Sequence, residues 1–349
     1  MMNLIFFKKF MQLMGLNKYF YFMLIFSIMI IINSSSWISA WMGMEMNLLS
    51  FIPLLMNSSK MSKYMNSSMM YYFIQVGSSS MLLMMIMIQK MNLFLVELNM
   101  IIIIIQITLI LKLGASPFHW WFIKIIKSIS WMNLFIISTF QKIGPLFMLM
   151  NTNISIVMYI SMLLSGLIGS FMGLNQNSLK LIMGYSSINH LSWMLMSLMI
   201  DFYIFFIYLM IYLFNNMMIC LFFYLFNMNF LNQIYKLNNL NYFMKFMILM
   251  MFMSMAGIPP MVGFLPKFFV FILMMKNYFY IECLIFVINT LIVLFFYMNL
   301  IMPFILLVKL NLKFNLNYFK FSLMFFLVVI FNIFILMLIY MVLILYFNN

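Results

Sequence analysis

The chain reads as an all-α polytopic membrane protein of about eleven transmembrane helices, some of them discontinuous, and three features predict it. Of its 349 residues, 68% are hydrophobic and only 6% are charged, against roughly 25% charged residues in an ordinary soluble domain. Mean hydropathy is +1.16. Apolar runs of about 20 residues, the length that crosses a bilayer as a helix, recur along the chain. Because they recur to the C-terminus, the first is expected to be a retained span rather than a removable leader. Residues 1–349 are expected to form one transmembrane domain without a soluble one.

The runs lie near residues 19–38, 42–58, 69–89, 92–113, 130–151, 155–174, 181–200, 203–229, 244–276, 279–305 and 321–347. Residues 1–18, with Lys8 and Lys9, precede them as an N-terminal extension. Residues 117–129, P-F-H-W-W-F-I-K-I-I-K-S-I, are too few to cross. With aromatics at one end and Lys124 and Lys127 one turn apart, they predict an amphipathic helix lying at the interface.

If the helices alternate in direction, one side receives Lys8, Lys9, Lys18, Lys60, Lys63, Lys124, Lys127, Lys180, Lys236, Lys309, Lys313 and Lys320, and the other receives Lys90 and Lys276. Twelve lysines against two place the N-terminus on the matrix or cytoplasmic side by the positive-inside rule. The same asymmetry decides how to read A-G-I-P-P-M-V-G-F-L-P-K, where Pro259, Pro260 and Pro266 interrupt the ninth run. Two separate crossings there would carry Lys309, Lys313 and Lys320 to the wrong side, so 244–276 is expected to be one broken crossing. Its freed backbone groups then need internal partners at membrane depth.

All 18 basic residues are Lys, while Met (48) and Phe (43) are over-used; the pattern is that of mutational bias in an AT-rich organellar gene. Bidentate Arg clamps for phosphate or carboxylate are thereby excluded. The net charge of +14 sits between apolar runs and not in a basic stripe, so nucleic acid is not an expected partner and lipid is. Cys220 and Cys283 have no Cys, His or acidic neighbour at ligand spacing, which predicts no metal or iron–sulfur site.

Four of the charges inside the hydrocarbon runs stand out: Glu45 in W-M-G-M-E-M-N-L-L, Lys112 in L-I-L-K-L-G, Lys142 in T-F-Q-K-I-G-P and Lys267 in G-F-L-P-K-F-F. A charge near the centre of a membrane helix costs roughly 2.5–3.5 kcal/mol on insertion scales, and it persists where it pairs, reaches water or moves protons. Lysine suits proton relay because burial and a nearby carboxylate act on its protonation in opposite directions. Each of the three lysines also adjoins a helix-breaking Pro: L-G-A-S-P follows Lys112, Gly144-Pro145 follows Lys142, and Lys267 follows the double break. Lys112, nearest a helix end, has the strongest alternative as a snorkelling side chain. His119 and His190 are titratable near neutral pH and are further candidates, with a histidine merely held by a backbone carbonyl as the alternative for each. Ser186, Ser187 and Asn189 could hold water beside His190 or pack helices. Glu97, Asp201 and Glu282 lie at helix ends and are expected to be solvated or capping carboxylates.

The segments W-I-S-A-W-M-G-M-E-M-N-L-L-S-F-I-P, K-L-G-A-S-P-F-H-W-W, T-F-Q-K-I-G-P, G-L-N-Q-N-S-L-K-L-I-M-G-Y-S-S-I-N-H-L-S-W-M and A-G-I-P-P-M-V-G-F-L-P-K-F together resemble the subunit 2 family of mitochondrial NADH:ubiquinone oxidoreductase, respiratory complex I. They cover residues 37–267 in order. The resemblance implies an antiporter-like, proton-translocating membrane-arm subunit in the mitochondrial inner membrane. NADH, flavin, iron–sulfur clusters and quinone would be bound elsewhere in the complex and no cofactor in this chain. Its partners would be other membrane-arm and accessory subunits. By motif position Glu45 resembles the glutamate that partners the first lysine, Lys112 that lysine, Lys142 the connecting lysine, and Lys267 the lysine at the second broken helix; His119 and His190 match family histidines. The sequence departs after P-F-H-W-W, where relatives carry two acidic residues and then Gly, and this chain has Lys124, Lys127 and Ser128. Two other classes stay open from the residues: a structural subunit whose charges lock helices, and a free-standing cation/proton antiporter.

The lysine asymmetry is checked by protease or maleimide accessibility in sealed organelles. The loop from Lys309 to Lys320 is expected to be reached from the matrix side only; reaction from the intermembrane side would overturn the topology and the single broken crossing at 244–276.

Overall fold

A computed structural model describes residues 18–56, 61–91, 98–153, 155–235, 242–259 and 261–307. The expected run at 321–347 and the expectations for Glu97, Pro260 and Lys8, Lys9, Lys60, Lys236, Lys309, Lys313 and Lys320 fall outside these residues. Among the described residues every regular element is a helix. In chain order they are α1 (Lys18–Ile32), α2 (Trp37–Met56), α3 (Met61–Lys90), α4 (Leu98–Leu113), α5 (Trp120–Ile126), α6 (Trp131–Ser138), α7 (Phe140–Met150), α8 (Ile156–Gly173), α9 (Leu179–Ile200), α10 (Phe202–Leu225), α11 (Leu231–Tyr235), α12 (Tyr242–Ala256), α13 (Phe264–Lys276) and α14 (Tyr280–Leu307). Among the described residues six stretches are long and apolar enough to cross a membrane: α2, Met65–Lys90 of α3, the α6–α7 pair, α8, α10 and Tyr280–Met302 of α14. α9 has the length but carries a polar run from Tyr185 to Trp193 that dilutes its hydropathy.

The chain divides into two compact units, Met1–Ser161 and Met162–Asn349. In the first, α3 packs against α2, α4 and α5, and α7 packs against α2, α4 and α6. Leu55, Leu82, Leu109, Ile126, Leu134 and Leu146 are completely buried between them, while Met42, Leu49, Phe73 and Met84 stay exposed on α2 and α3, as a lipid-facing surface requires. Polar side chains tie neighbouring helices through backbone carbonyls: Trp41 Nε1 donates to Ser79 O at 3.1 Å and Asn133 Nδ2 to Leu54 O at 2.8 Å. Short α5 buries Trp121, Phe122, Ile123, Ile125 and Ile126; Trp120 and Lys124 face outward, with the ammonium 5.2 Å from the indole centroid.

α6 and α7 continue one another across an interruption at Thr139 (φ −123°, ψ −77°). The sequence placed the kink of this span at Gly144-Pro145, after Lys142, yet Pro145 sits inside α7 and the break precedes Lys142. Its cause is local: the hydroxyls of Ser138 and Thr139 donate back to the carbonyls of Leu134 and Phe135, competing with the helical ladder.

In the second unit α10 packs against α9, α12 and α13, and α14 packs against α11, α12 and α13. Ile188, Leu191, Leu195, Phe205, Val270, Val293 and Ile301 fill the core. The break expected within 244–276 is present, since α12 ends at Ala256 and α13 begins at Phe264. Each half is shorter than the roughly 20 residues that span a bilayer. Gly263, at the N-cap of α13, lets the halves approach, because a Cβ there would lie 1.7 Å from the Ser254 carbonyl oxygen.

Gly263→Ala is accordingly expected to destabilise the protein by about 1–3 kcal/mol, the usual cost of overpacking. Gly77→Ala, in α3 with nothing within 4 Å of the added methyl, serves as the neutral control. Thermal unfolding of the two purified variants checks the pair; equal midpoints would refute the close approach at the break.

Candidate functional site

The site begins with the way α4 ends. Gly114, at φ +66°, turns the chain so that its own N–H reaches Leu111 O at 3.2 Å and the Ala115 N–H reaches Ile110 O at 3.3 Å, the paired bonds of a Schellman C-cap. Two side chains finish the job: Trp121 Nε1 donates to Leu111 O at 3.1 Å and Gln75 Nε2 to Lys112 O at 3.3 Å. Lys112 thus occupies the last turn of α4, where the helix dipole favours a cation. It is only 7% exposed, which weighs against the snorkelling alternative.

Glu45 comes from the middle of α2 and acts electrostatically on both Lys112 and Tyr71. Its Oε1 is buried and has no hydrogen-bond partner among the described residues, and no ion pair within 4.0 Å joins it to Lys112. By motif position Glu45 is expected to partner Lys112 directly or through a short water bridge, and among the described residues no direct hydrogen bond to its Oε1 is made. What bridges the helices is neutral. Tyr71 of α3, wholly buried against Phe51 and Trp121, donates its hydroxyl to Gln141 Oε1 at 3.0 Å. Gln141 Nε2 in turn donates to Asn47 Oδ1 at 2.9 Å. This chain joins α2, α3 and α7 two residues from Glu45 and one residue from Lys142. Lys142, 3% exposed, lies with its Nζ 5.1 Å from the centroid of Phe122 in α5, a cation–π distance. His119 immediately precedes α5, and its Nδ1 is buried with no hydrogen-bond partner among the described residues. Glu45, Lys112, Lys142 and His119 all belong to the first unit.

The second unit holds Lys267 and His190. α12 ends as α4 does: Gly257, at φ +79°, donates to Met253 O at 3.0 Å, and Ile258 N–H reaches the same carbonyl at 3.2 Å. Here a charge completes the cap. Lys267 of α13, 5% exposed, donates from Nζ to Ala256 O at 3.0 Å and approaches Met255 O at 3.4 Å. Gly257 must be glycine twice over, for its φ and because a Cβ would sit 3.0 Å from that ammonium. His190 of α9 meets Tyr208 of α10, Nδ1 to Oη 2.8 Å, and its ring lies 5.1 Å from that of Tyr212. Ser186 and Ser187 spend their hydroxyls on their own helix, at Met183 O and Gly184 O. Asp201 caps α10 by accepting from Tyr203 N–H at 3.0 Å, the bland role expected of it.

Sequence reasoning missed Tyr71, Asn47, Gln141 and Gln75 around the lysines, and Tyr208 and Tyr212 around His190. A buried carboxamide beside a buried lysine, as in Q-K, was the one available signal. Chemically the two units, each taken by itself, present three buried ammonium groups set beside helix ends or interruptions, together with a half-buried carboxylate and two imidazoles, braced by neutral hydrogen bonds. That marks a membrane protein that keeps ionisable groups in its interior.

The comparisons agree. The sequence profile of the NADH:quinone oxidoreductase/Mrp antiporter transmembrane family matches residues 34–293. NADH-ubiquinone oxidoreductase chain 2 of Anopheles gambiae is 38% identical over 292 residues, 81% of this chain and 84% of that one. The same chain of Equus asinus is 34% identical over 283 residues, 78% and 81% respectively. Among solved structures, a chain of respiratory complex I from Thermus thermophilus with bound aureothin aligns at TM-score 0.75 and 15% identity, over 83% of this chain and 70% of that one. A chain of the Mrp complex from Dietzia sp. aligns at 0.70 and 14%, over 80% and 58%; at such identities both show the shared fold. The chain belongs to the NADH:quinone oxidoreductase/Mrp antiporter transmembrane family, among its NADH-ubiquinone oxidoreductase chain 2 members.

Tyr71→Phe keeps the ring between Phe51 and Trp121 but strips half-buried Gln141 Oε1 of its donor, at about 0.5–1.5 kcal/mol for a lost hydrogen bond. The variant is expected to accumulate normally in membranes and to lose several-fold in coupled proton uptake, as Gln141 and the adjacent Lys142 lose their fixed pose. Wild-type proton uptake in Tyr71→Phe would show that the network only packs helices.

Proposed function

We propose that this chain is a proton-translocating membrane-arm subunit of respiratory complex I, relaying protons through Glu45, Lys112, Lys142 and Lys267, with His119 and His190 as further proton-holding groups. The observation that carries the reading is the burial of Lys112, Lys142 and Lys267 at 7%, 3% and 5% exposure, with a helix interruption or end beside each. A charge there costs several kcal/mol unless it is used. A subunit whose charges merely lock helices would tie Lys112 to Glu45 directly, and the two make no such contact. Through-space coupling suits a relay better, since each group can change protonation without breaking an ion pair.

The remainder of the reading rests on the family. The relatives named NADH-ubiquinone oxidoreductase chain 2 come from insects and mammals, which supports a mitochondrial inner-membrane location and other complex I subunits, accessory subunits and lipids as neighbours. NADH oxidation and quinone reduction would proceed on cofactors held elsewhere in the assembly, and this chain would carry none. We further propose eleven crossings in one transmembrane domain, with α12 and α13 as the halves of a single crossing, residues 117–129 at the interface and the N-terminus on the matrix side.

Lys142 is the decisive residue because it lies well inside its span and cannot snorkel as Lys112 could. Lys142→Met matches its length and suits an apolar setting, so the complex is expected to assemble while proton uptake per NADH and coupled quinone reduction fall. The measurement is proton uptake in reconstituted vesicles, normalised to assembled complex. Full coupled activity at normal assembly would remove Lys142 from the relay; loss of assembly alone would make it structural.

A further inference from the structure

α9 carries polar groups on two faces. One meets α10 through His190. The other meets α8 and α14, and nothing in the relay uses it. On that second face α8 comes so near that a Cβ at Gly169 would lie 2.7 Å from the backbone N and 3.0 Å from the Cβ of Asn189. One turn earlier on α8, a Cβ at Gly166 would lie 2.8 Å from Asn289 Nδ2 of α14 and 3.2 Å from Ser192 Oγ of α9. Ser170 Oγ of α8 reaches Asn289 Oδ1 at 3.2 Å. Trp193 stacks edge-on against Phe286, ring centroids 4.6 Å apart, one turn from Asn289. Asn189, Ser192, Trp193 and Asn289 therefore converge on one seam among α8, α9 and α14, all within the second unit.

The seam is both buried and unsatisfied. Asn189, Asn289 and Trp193 are 0%, 1% and 2% exposed. Asn189 Nδ2, Asn189 Oδ1, Asn289 Nδ2 and Trp193 Nε1 all lack a hydrogen-bond partner among the described residues. Each such group costs free energy when buried alone, and native interiors leave few of them unmade. They cannot all satisfy one another: even if both lone pairs of Asn189 Oδ1 accepted from Asn289 Nδ2 and Trp193 Nε1, Asn189 Nδ2 would remain without an acceptor among the four. What is missing is a small group that accepts from two donors and donates to an acceptor. The described groups that meet at the seam are neutral amides, hydroxyls and an indole. Water has the donor and acceptor capacity they call for, and a buried water takes two to four polar partners of this kind.

We propose that the α8–α9–α14 seam is a binding site for ordered water held by Asn189, Asn289 and Trp193, a hydrated element inside the second unit separate from the lysines and from His190. It stands whether or not the proton relay does. A density map of the assembled complex that resolves internal water is expected to show at least one water within hydrogen-bond distance of the Asn189 amide and of Asn289 Nδ2 or Trp193 Nε1. A dry seam, with the amides turned onto protein groups, would overturn the proposal. A second test needs no map. Asn189→Leu and Asn289→Leu each remove part of a shared water site, so the melting shift of the double variant of the assembled complex is expected to be clearly smaller than the sum of the single shifts. Additive shifts would mean that the two asparagines act separately and would reject a shared water site.

Discussion

A helix can break inside a bilayer only where the carbonyls exposed by the break find donors, from the protein or from water held within it, because lipid supplies none. This chain meets that condition twice with the same backbone device, a left-handed glycine at Gly114 and at Gly257 closing a pair of turn bonds, and then completes each end differently. After α4 an indole and a carboxamide, Trp121 and Gln75, donate to the carbonyls of Leu111 and Lys112, which leaves the Lys112 ammonium outside the capping. After α12 the ammonium of Lys267 is itself the donor. One lysine is thus delivered to a helix end by neutral caps, and the other is part of the cap, so a change in its protonation bears directly on the stability of the break.

The same economy of charge runs through the first unit. Glu45 Oε1 makes no hydrogen bond among the described residues, and helices α2, α3 and α7 are joined by the neutral groups of Tyr71, Gln141 and Asn47. In a low-dielectric interior a direct ion pair holds its partners against separation, whereas hydrogen bonds among neutral amides and hydroxyls hold helices without fixing any titratable group in one state. The Phe122 face beneath Lys142 works likewise, offering negative potential with no charge of its own. Lysine fits this setting better than arginine would, since its ammonium is a point charge that loses its proton readily when desolvated.

Packing constrains positions in this fold unequally. Identity falls from 38% with the mosquito protein to 15% with the bacterial complex I chain, while the fold persists at a TM-score of 0.75. Lipid-facing positions such as Leu49 and Phe73 need only be apolar. Close approaches such as Gly263 against Ser254 and Gly169 against Asn189 leave no such freedom, because a single methyl group would collide with backbone.

Composition, run length and motif order alone determined that the chain is an all-helical membrane protein, that helices break beside Lys112 and within 244–276, and that Lys112, Lys142 and Lys267 would be buried. These features are legible because they are local: an apolar run, a Pro or Gly beside it and a charge within it suffice. The position of the break before Lys142 was not legible, since it turns on Ser138 and Thr139 bonding back to their own helix in competition with a proline further along. Nor was the partnership of Gln141 with Tyr71 and Asn47, of His190 with Tyr208, or of Asn189 with the seam of α8 and α14. Each joins residues far apart in the chain or faces of a helix that periodicity cannot rank when nearly every position is apolar. Hydrophobicity tells a chain how to enter a membrane; only the packing of helices against one another decides which buried polar groups meet.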